Sequence, residues 1–251
     1  MPGHNSAQRP QGRGAARTVV IWDALQEMLA GLAGHPAPDD VSVVDIGGGT
    51  GGFAVRVAEL GHRVTVVDPS PDALAILARR ADESGVADRV TGRQGDVDSL
   101  HDLVPAGTAD VVLCHGVLEI VDDPAAALAA LAEALRPGGV LSLLVSQRHA
   151  AVLTRAMAGH FGQARALLDD TGTVGAARRF TPPEVTALLA DSGFEATALH
   201  AIRVFVDHVP SSLVDLEPGA ATALVELEQA VADRPEYLPL GTQLHALARR
   251  T

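Results

Sequence analysis

Branched apolar residues recur along this chain in runs of strand length, separated by stretches of about ten to fifteen residues whose apolar positions fall at helical spacing. That alternation is the pattern of repeated βαβ units, which build a parallel sheet covered by helices. The runs at 41–46 (VSVVDI), 62–68 (HRVTVVD), 88–96 (DRVTGRQGD), 109–116 (ADVVLCHG) and 140–146 (VLSLLVS) predict five strands. Helices are expected over 51–60, from Ser70 as N-cap with Pro71 in the first turn, and from Asp122-Asp123 to a Pro-Gly-Gly stop.

Beyond residue 147 the pattern loosens. Residues 148–170 look helical, 171–179 look like a loop, and Thr181 caps a short helix. The stretch 200–209 (HAIRVFVDHV) alternates like a strand, 221–234 returns to helix, and 242–249 (TQLHALAR) reads as a last strand. One α/β domain over 15–251 is expected, with an inserted cap or lid at about 148–180. The first 14 residues, rich in Pro, Gly and polar side chains, read as a flexible arm with no apolar core of a secretory signal.

Composition narrows the partners. No stretch approaches the roughly 20 apolar residues of a membrane span, and a net charge of −12 argues against a broad, sequence-blind grip on nucleic acid, so no DNA partner is expected. The lone cysteine, Cys114, excludes an intrachain disulfide and a cysteine-based zinc cluster, and the histidines lack ligand spacing, so no metal is expected. A cytoplasmic protein is the economical reading. Against the acidic total, Arg148 to Arg179 carries five arginines and two acids.

The segment 43–52 (VVDIGGGTGG) places five glycines behind the first strand, where the backbone must turn sharply or approach a ligand closely. Gly47, Gly49 and Gly52 fit the dinucleotide pattern G-x-G-x-x-G. In an open parallel sheet, ligands bind at the carboxyl ends of the strands. Asp68 ends the second strand, where a carboxylate can accept from both hydroxyls of a ribose; Gly95-Asp96 end the third and His115 the fourth. Asp45, two residues before the glycines, would repel a pyrophosphate and welcome a cationic amine or sulfonium. S-adenosylmethionine carries both cations and no phosphate.

These residues resemble the class I S-adenosylmethionine-dependent methyltransferases. VVDIGGGTG, VTVVDPSPDAL, the Gly95-Asp96 pair and ADVVLCHGVLEIVDDPAAALAALAEALRPGGVLSLLV stand in that family's order and spacing over roughly 15–147. The resemblance implies a Rossmann-like, seven-stranded, mostly parallel sheet with an antiparallel last strand and helices on both faces. Outside that core, ARTVVIWDAL, AIRVFVDHV and EYLPLGTQLHALAR look like the bacterial tRNA 5-carboxymethoxyuridine methyltransferases, which esterify the carboxylate of a wobble uridine. Carried over by position, this implies a cofactor set of Arg17, Gly47, Gly48, Asp68, Gln94, Gly95 and His115. Gly49, Asp45 and Asp96 join it from the strand-end argument.

A carboxylate acceptor needs no general base at neutral pH but does need an arginine to orient it. Arg203 is the first candidate, paired either with Asp207 or with a substrate anion; Arg178 and Arg179 are reserves on the lid. The leading acceptor is the tRNA anticodon region. The acidic charge favours a small-molecule acceptor instead, and a non-catalytic cofactor-binding protein is the third reading.

Overall fold

The computed structural model describes residues 13–32, 41–168 and 177–251. The elements run α1 (Arg13–Leu32), β1 (Ser42–Ile46), α2 (Ala54–Glu59), β2 (Arg63–Asp68), α3 (Pro71–Glu83), β3 (Val90–Gln94), α4 (Leu100–Leu103), β4 (Ala109–His115), α5 (Pro124–Ala134), β5 (Leu135–Ser146), α6 (Arg148–Met157), α7 (Phe161–Ala166), α8 (Pro182–Asp191), β6 (Phe194–Ile202), α9 (Ser211–Leu216), α10 (Ala220–Val231) and β7 (Gln243–Arg250). The strands form one seven-stranded sheet in the order β3-β2-β1-β4-β5-β7-β6, in which only β7 runs antiparallel to its neighbours. This is the Rossmann-like α/β architecture expected from the sequence.

Side chains alternate faces along each strand. On β4, Val112 and Cys114 pack with α5 and α8, whereas Val111 and Leu113 pack with α1, α2 and α3. Both faces of the central strands are therefore buried, which is why they read as continuous apolar runs rather than as alternation. The expected caps form. Ser70 accepts from the Ala73 amide, Asp123 from Ala125 and Ala126, and Thr181 with Glu184 closes a capping box on α8.

Three expectations change. Helix α1 begins at Arg13, so residues 13 and 14 belong to it rather than to an arm; residues 1–12 lie outside the described residues. The helical pattern over 148–170 divides into α6 and α7, parted at Gly159 with a φ of 77°. The loop at 171–179 and the end of the 148–170 stretch lie partly outside the described residues.

The third change is the strand expected over 200–209. Strand β6 instead spans 194–202, and the chain then leaves the sheet through Arg203, whose φ is 61°. The cause is Glu228 on α10, fully buried, whose carboxylate accepts from the amides of Val204, Phe205 and Val206 at 2.8–2.9 Å. Three backbone donors that a ladder would have used are gathered on one side-chain anion, so the apolar alternation of VFV fills the cover of the sheet and not its edge.

Candidate active site

The strand order reverses between β1 and β4, and the crevice at such a switch point lies outside the carboxyl ends of those strands. The glycine loop follows β1 there. Gly47 and Gly49 have φ of 68° and 55°, which side-chain-bearing residues rarely adopt. A Cβ on Gly48 would collide with the Asp45 carboxylate, so that acid lies directly beneath the loop. Asp45 is only 3% exposed, and burial, then the nearby Asp68 charge, pushes its pKa up to about 7.

Asp68 holds the loop from β2. One carboxylate oxygen accepts from the Gly49 amide and the other from Ser70, both at 2.9 Å. Each oxygen keeps a lone pair for a further donor. At the end of β3 the Gln94 amide reaches the Pro69 carbonyl at 3.3 Å. Gly95 is packed so closely that a Cβ would meet Leu103 and Ser99. Asp96 accepts from the Ser99 amide and hydroxyl, hydrogen bonds that hold its carboxyl below the usual range. Asp45, the glycine loop, Asp68, Gln94 to Asp96 and His115 thus all sit on the carboxyl edge of the sheet.

His115 ends β4 with its ring edge-on to Phe53 at 5.0 Å, and it opens a buried polar chain that the sequence did not disclose. Its Nε2 lies 2.9 Å from the Ser142 hydroxyl, which lies 2.8 Å from Nε2 of His245, whose Nδ1 lies 3.2 Å from Nδ1 of His200. A hydroxyl has one proton to donate, so the chain runs in one of two directions, with every tautomer set by the first. Burial keeps these rings neutral: His115 falls to about 4, and His200 and His245 also lie below their ordinary value. The signal was a serine inside the apolar run VLSLLVS and a histidine inside QLHALAR, which the register sets on a diagonal across β5 and β7, His245 facing Leu144 and Ser142 facing Leu247.

Arg203 lies at the same edge of the sheet, just past β6. It contacts Asp207 at 2.6 Å and Gln243 at 3.4 Å, while its buried Nε–H has no partner among the described residues. Arg17 reaches the other Asp207 oxygen from α1 at 3.2 Å, and Thr242 donates to the first at 3.3 Å. Burial alone would raise the Asp207 pKa, but the bond and charge of Arg203, and then the charge of Arg17, hold it below the usual carboxylate range. Asp207 therefore brings the two arginines singled out in the sequence to one point.

Arg178 is committed elsewhere, donating to the carbonyls of Val121 and Asp122 at 2.9 and 3.3 Å, and Arg179 donates to Ala177 at 3.3 Å. Sequence reasoning also missed Glu119. It is 7% exposed; one oxygen accepts from the Ser146 amide at 2.7 Å and the other has no partner among the described residues. Burial raises its pKa.

Residues 44–141 match the family model described as a methyltransferase domain. The chain is 31% identical over 243 residues to the tRNA 5-carboxymethoxyuridine methyltransferase of Escherichia coli strain K12, covering 95% of this chain and 89% of that one. It is 35% identical to the ubiquinone biosynthesis O-methyltransferase of Xanthomonas axonopodis pv. citri, over 63% of this chain and 64% of the relative. Among solved structures, an S-adenosylmethionine-dependent methyltransferase from Mesorhizobium loti shares the fold with a TM-score of 0.58 at 22% identity, covering 95% of this chain and 100% of that one. No described helix is long and apolar enough to cross a membrane. This chain belongs to the class I S-adenosylmethionine-dependent methyltransferases and is similar over nearly its whole length to the bacterial tRNA 5-carboxymethoxyuridine methyltransferases.

Proposed function

We propose that this chain esterifies the carboxylate of 5-carboxymethoxyuridine at the wobble position of tRNA. The observation that carries the reading is the meeting of Arg17, Arg203 and Asp207 at the carboxyl edge of the sheet. Two guanidinium groups converge on a single carboxylate, and the buried Arg203 Nε–H has no acceptor among the described residues. The 31% identity to the Escherichia coli enzyme across 95% of the chain supports the same acceptor.

The residues present fit the cofactor. A buried carboxyl with a raised pKa, set beneath the glycine loop and beside a second acid, is a place for cations. S-adenosylmethionine, when bound, supplies the electrophilic methyl on its sulfonium. In this reading Asp45 faces its positive charges, the loop Gly47 to Gly49 gives the close backbone approach, and Asp68 takes the ribose hydroxyls. Gln94, Gly95 and Asp96 border the adenine, His115 closes the wall at β4, and Arg17 holds the amino-acid carboxylate. Arg203 holds one oxygen of the acceptor while the other attacks in line. One orienting arginine suffices, since several would blunt the nucleophile. The segment 148–180 then acts as the lid that excludes water from the reacting atoms.

A metabolite hydroxyl is the competing acceptor, suggested by the acidic charge and by the O-methyltransferase relatives. Such an acceptor must lose a proton, and the histidine at this edge, His115, is a weak base near 4 already engaged with Ser142. That geometry favours an acceptor ionised beforehand. Mass spectrometry of tRNA nucleosides from cells with and without the gene tests the reading. The methyl ester should vanish with the gene, and the product should release methanol in mild alkali. A methyl group that survives alkali would make the carboxylate chemistry wrong.

A further inference from the structure

An amphipathic helix ordinarily turns its apolar stripe inward. Helix α6 reverses this along one line. His149, Leu153 and Met157, spaced at i, i+4 and i+8, are all exposed, and Phe161 at the start of α7 continues the spacing with 71% of its surface in solvent. Leu153 and Met157 are 41% and 69% exposed. Exposed Arg165 stands one turn beyond Phe161 on the same face of α7, and residues 148–168 contain no aspartate or glutamate, in a chain of net charge −12. Helix α6 leaves the end of β5, so this surface begins at the same carboxyl edge of the sheet as the candidate site.

A patch that is apolar, carries a flat ring and is basic within an acidic protein fits a ligand offering both unstacked bases and phosphates. We infer that the exposed face of α6 and α7 is the docking surface for the single-stranded nucleotides that flank the target base, an inference that rests on the tRNA reading above. Phe161 stacks a base, and Arg165 contacts a phosphate. A second copy of the chain is a poorer occupant, because a two-fold contact would set this basic stripe against itself.

The test measures binding of an anticodon stem-loop carrying 5-carboxymethoxyuridine across a salt series, alongside methyl transfer to whole tRNA by the wild-type enzyme. Arg165→Ala should lower the slope of log affinity against log salt by about 0.7, the share of one phosphate. Phe161→Ala should weaken binding by about five- to 100-fold with the slope unchanged. If the wild type methylates tRNA and these variants bind the stem-loop as it does, the inference is overturned and the tRNA reading stands. If the stem-loop binds through these residues but no ester forms, the surface stands and the acceptor assignment falls. Absence of both binding and transfer overturns both. Vesicles of phosphatidylglycerol and phosphatidylcholine form the last arm: binding that replaces RNA binding and is lost in Phe161→Ala would mark a membrane-contacting face and overturn the inference.

Discussion

At the scale of single residues, the site supports the charge of some acids, Asp96 and Asp207, and holds others against their preference. Asp45 is the clearest case, a carboxyl in the sheet interior with its pKa raised to about 7 by burial and by Asp68. Its folded value lies above its unfolded one, so its contribution to stability is complete below the unfolded value and is lost as pH rises through 7. Asp45→Asn should therefore stabilise the cofactor-free protein by roughly 1–3 kcal/mol more at pH 8 than at pH 5.5. The same variant should bind S-adenosylmethionine more weakly. Urea unfolding at the two pH values and calorimetry with the cofactor check both halves. A variant destabilised at pH 8 would mean that Asp45 is held by bonds its charge helps to make. The buried histidines work in the other direction: their pKa values are depressed, so their stability is present above about 6.5 and fades as pH falls toward the value near 4 of His115. Comparing variant with wild type at each pH cancels that background.

At the scale of elements, what the sequence made legible and what it hid divide by the range of the interaction responsible. The first five strands, the caps of α3, α5 and α8 and the glycine loop are written in neighbouring residues, and they stand within a few positions of where periodicity put them. The end of β6 is not local. Its fate is decided by Glu228, more than twenty residues downstream on α10, which sits in line with buried Leu224 and Val231 as a core acid with no visible partner in sequence. The polar chain from His115 to His200 was hidden for the same reason, since only the register of β5, β7 and β6 brings its members together. The segment after β5 is likewise fastened by distant contacts. Phe180 is buried, its amide donates to Ser146 and its carbonyl accepts from Arg148, both at 2.9 Å, beside an isolated bridge to Gln147. The proposed lid is thus pinned where it leaves and where it rejoins the sheet. Removing that side chain leaves a cavity and loosens the return, so Phe180→Ala should cost about 3 kcal/mol in chemical denaturation. A loss below about 1 kcal/mol would place the fastening elsewhere.

At the scale of the whole molecule, the sheet divides the work along its carboxyl edge. The β1 to β4 side carries the glycine loop, Asp45, Asp68 and His115. The β6 and β7 side, with α1 laid against it, carries Arg203, Asp207 and Gln243. Only Arg17 crosses, since it belongs to the implied cofactor set yet is held by Asp207. If the halves serve different ligands, single substitutions in them should fail differently. Asp68→Asn keeps the size of the side chain but loses its charge and one acceptor. It should weaken cofactor binding by about 1.5–3 kcal/mol, with turnover recovering at saturating S-adenosylmethionine. Arg203→Ala removes a charge partner that is only partly exposed to water. It should cost about 2–5 kcal/mol in transfer to the acceptor while calorimetry reads cofactor affinity close to wild type. Its left-handed backbone makes the alanine no more strained than the arginine it replaces, and thermal unfolding of the variant separates a loss of turnover from a loss of fold. The two variants are too far apart along the edge to share a partner, and their effects should add in the double variant. If Arg203→Ala instead abolished cofactor binding, the arginine pair would belong to the cofactor alone. The acceptor carboxylate would then have to be oriented by a residue outside this cluster.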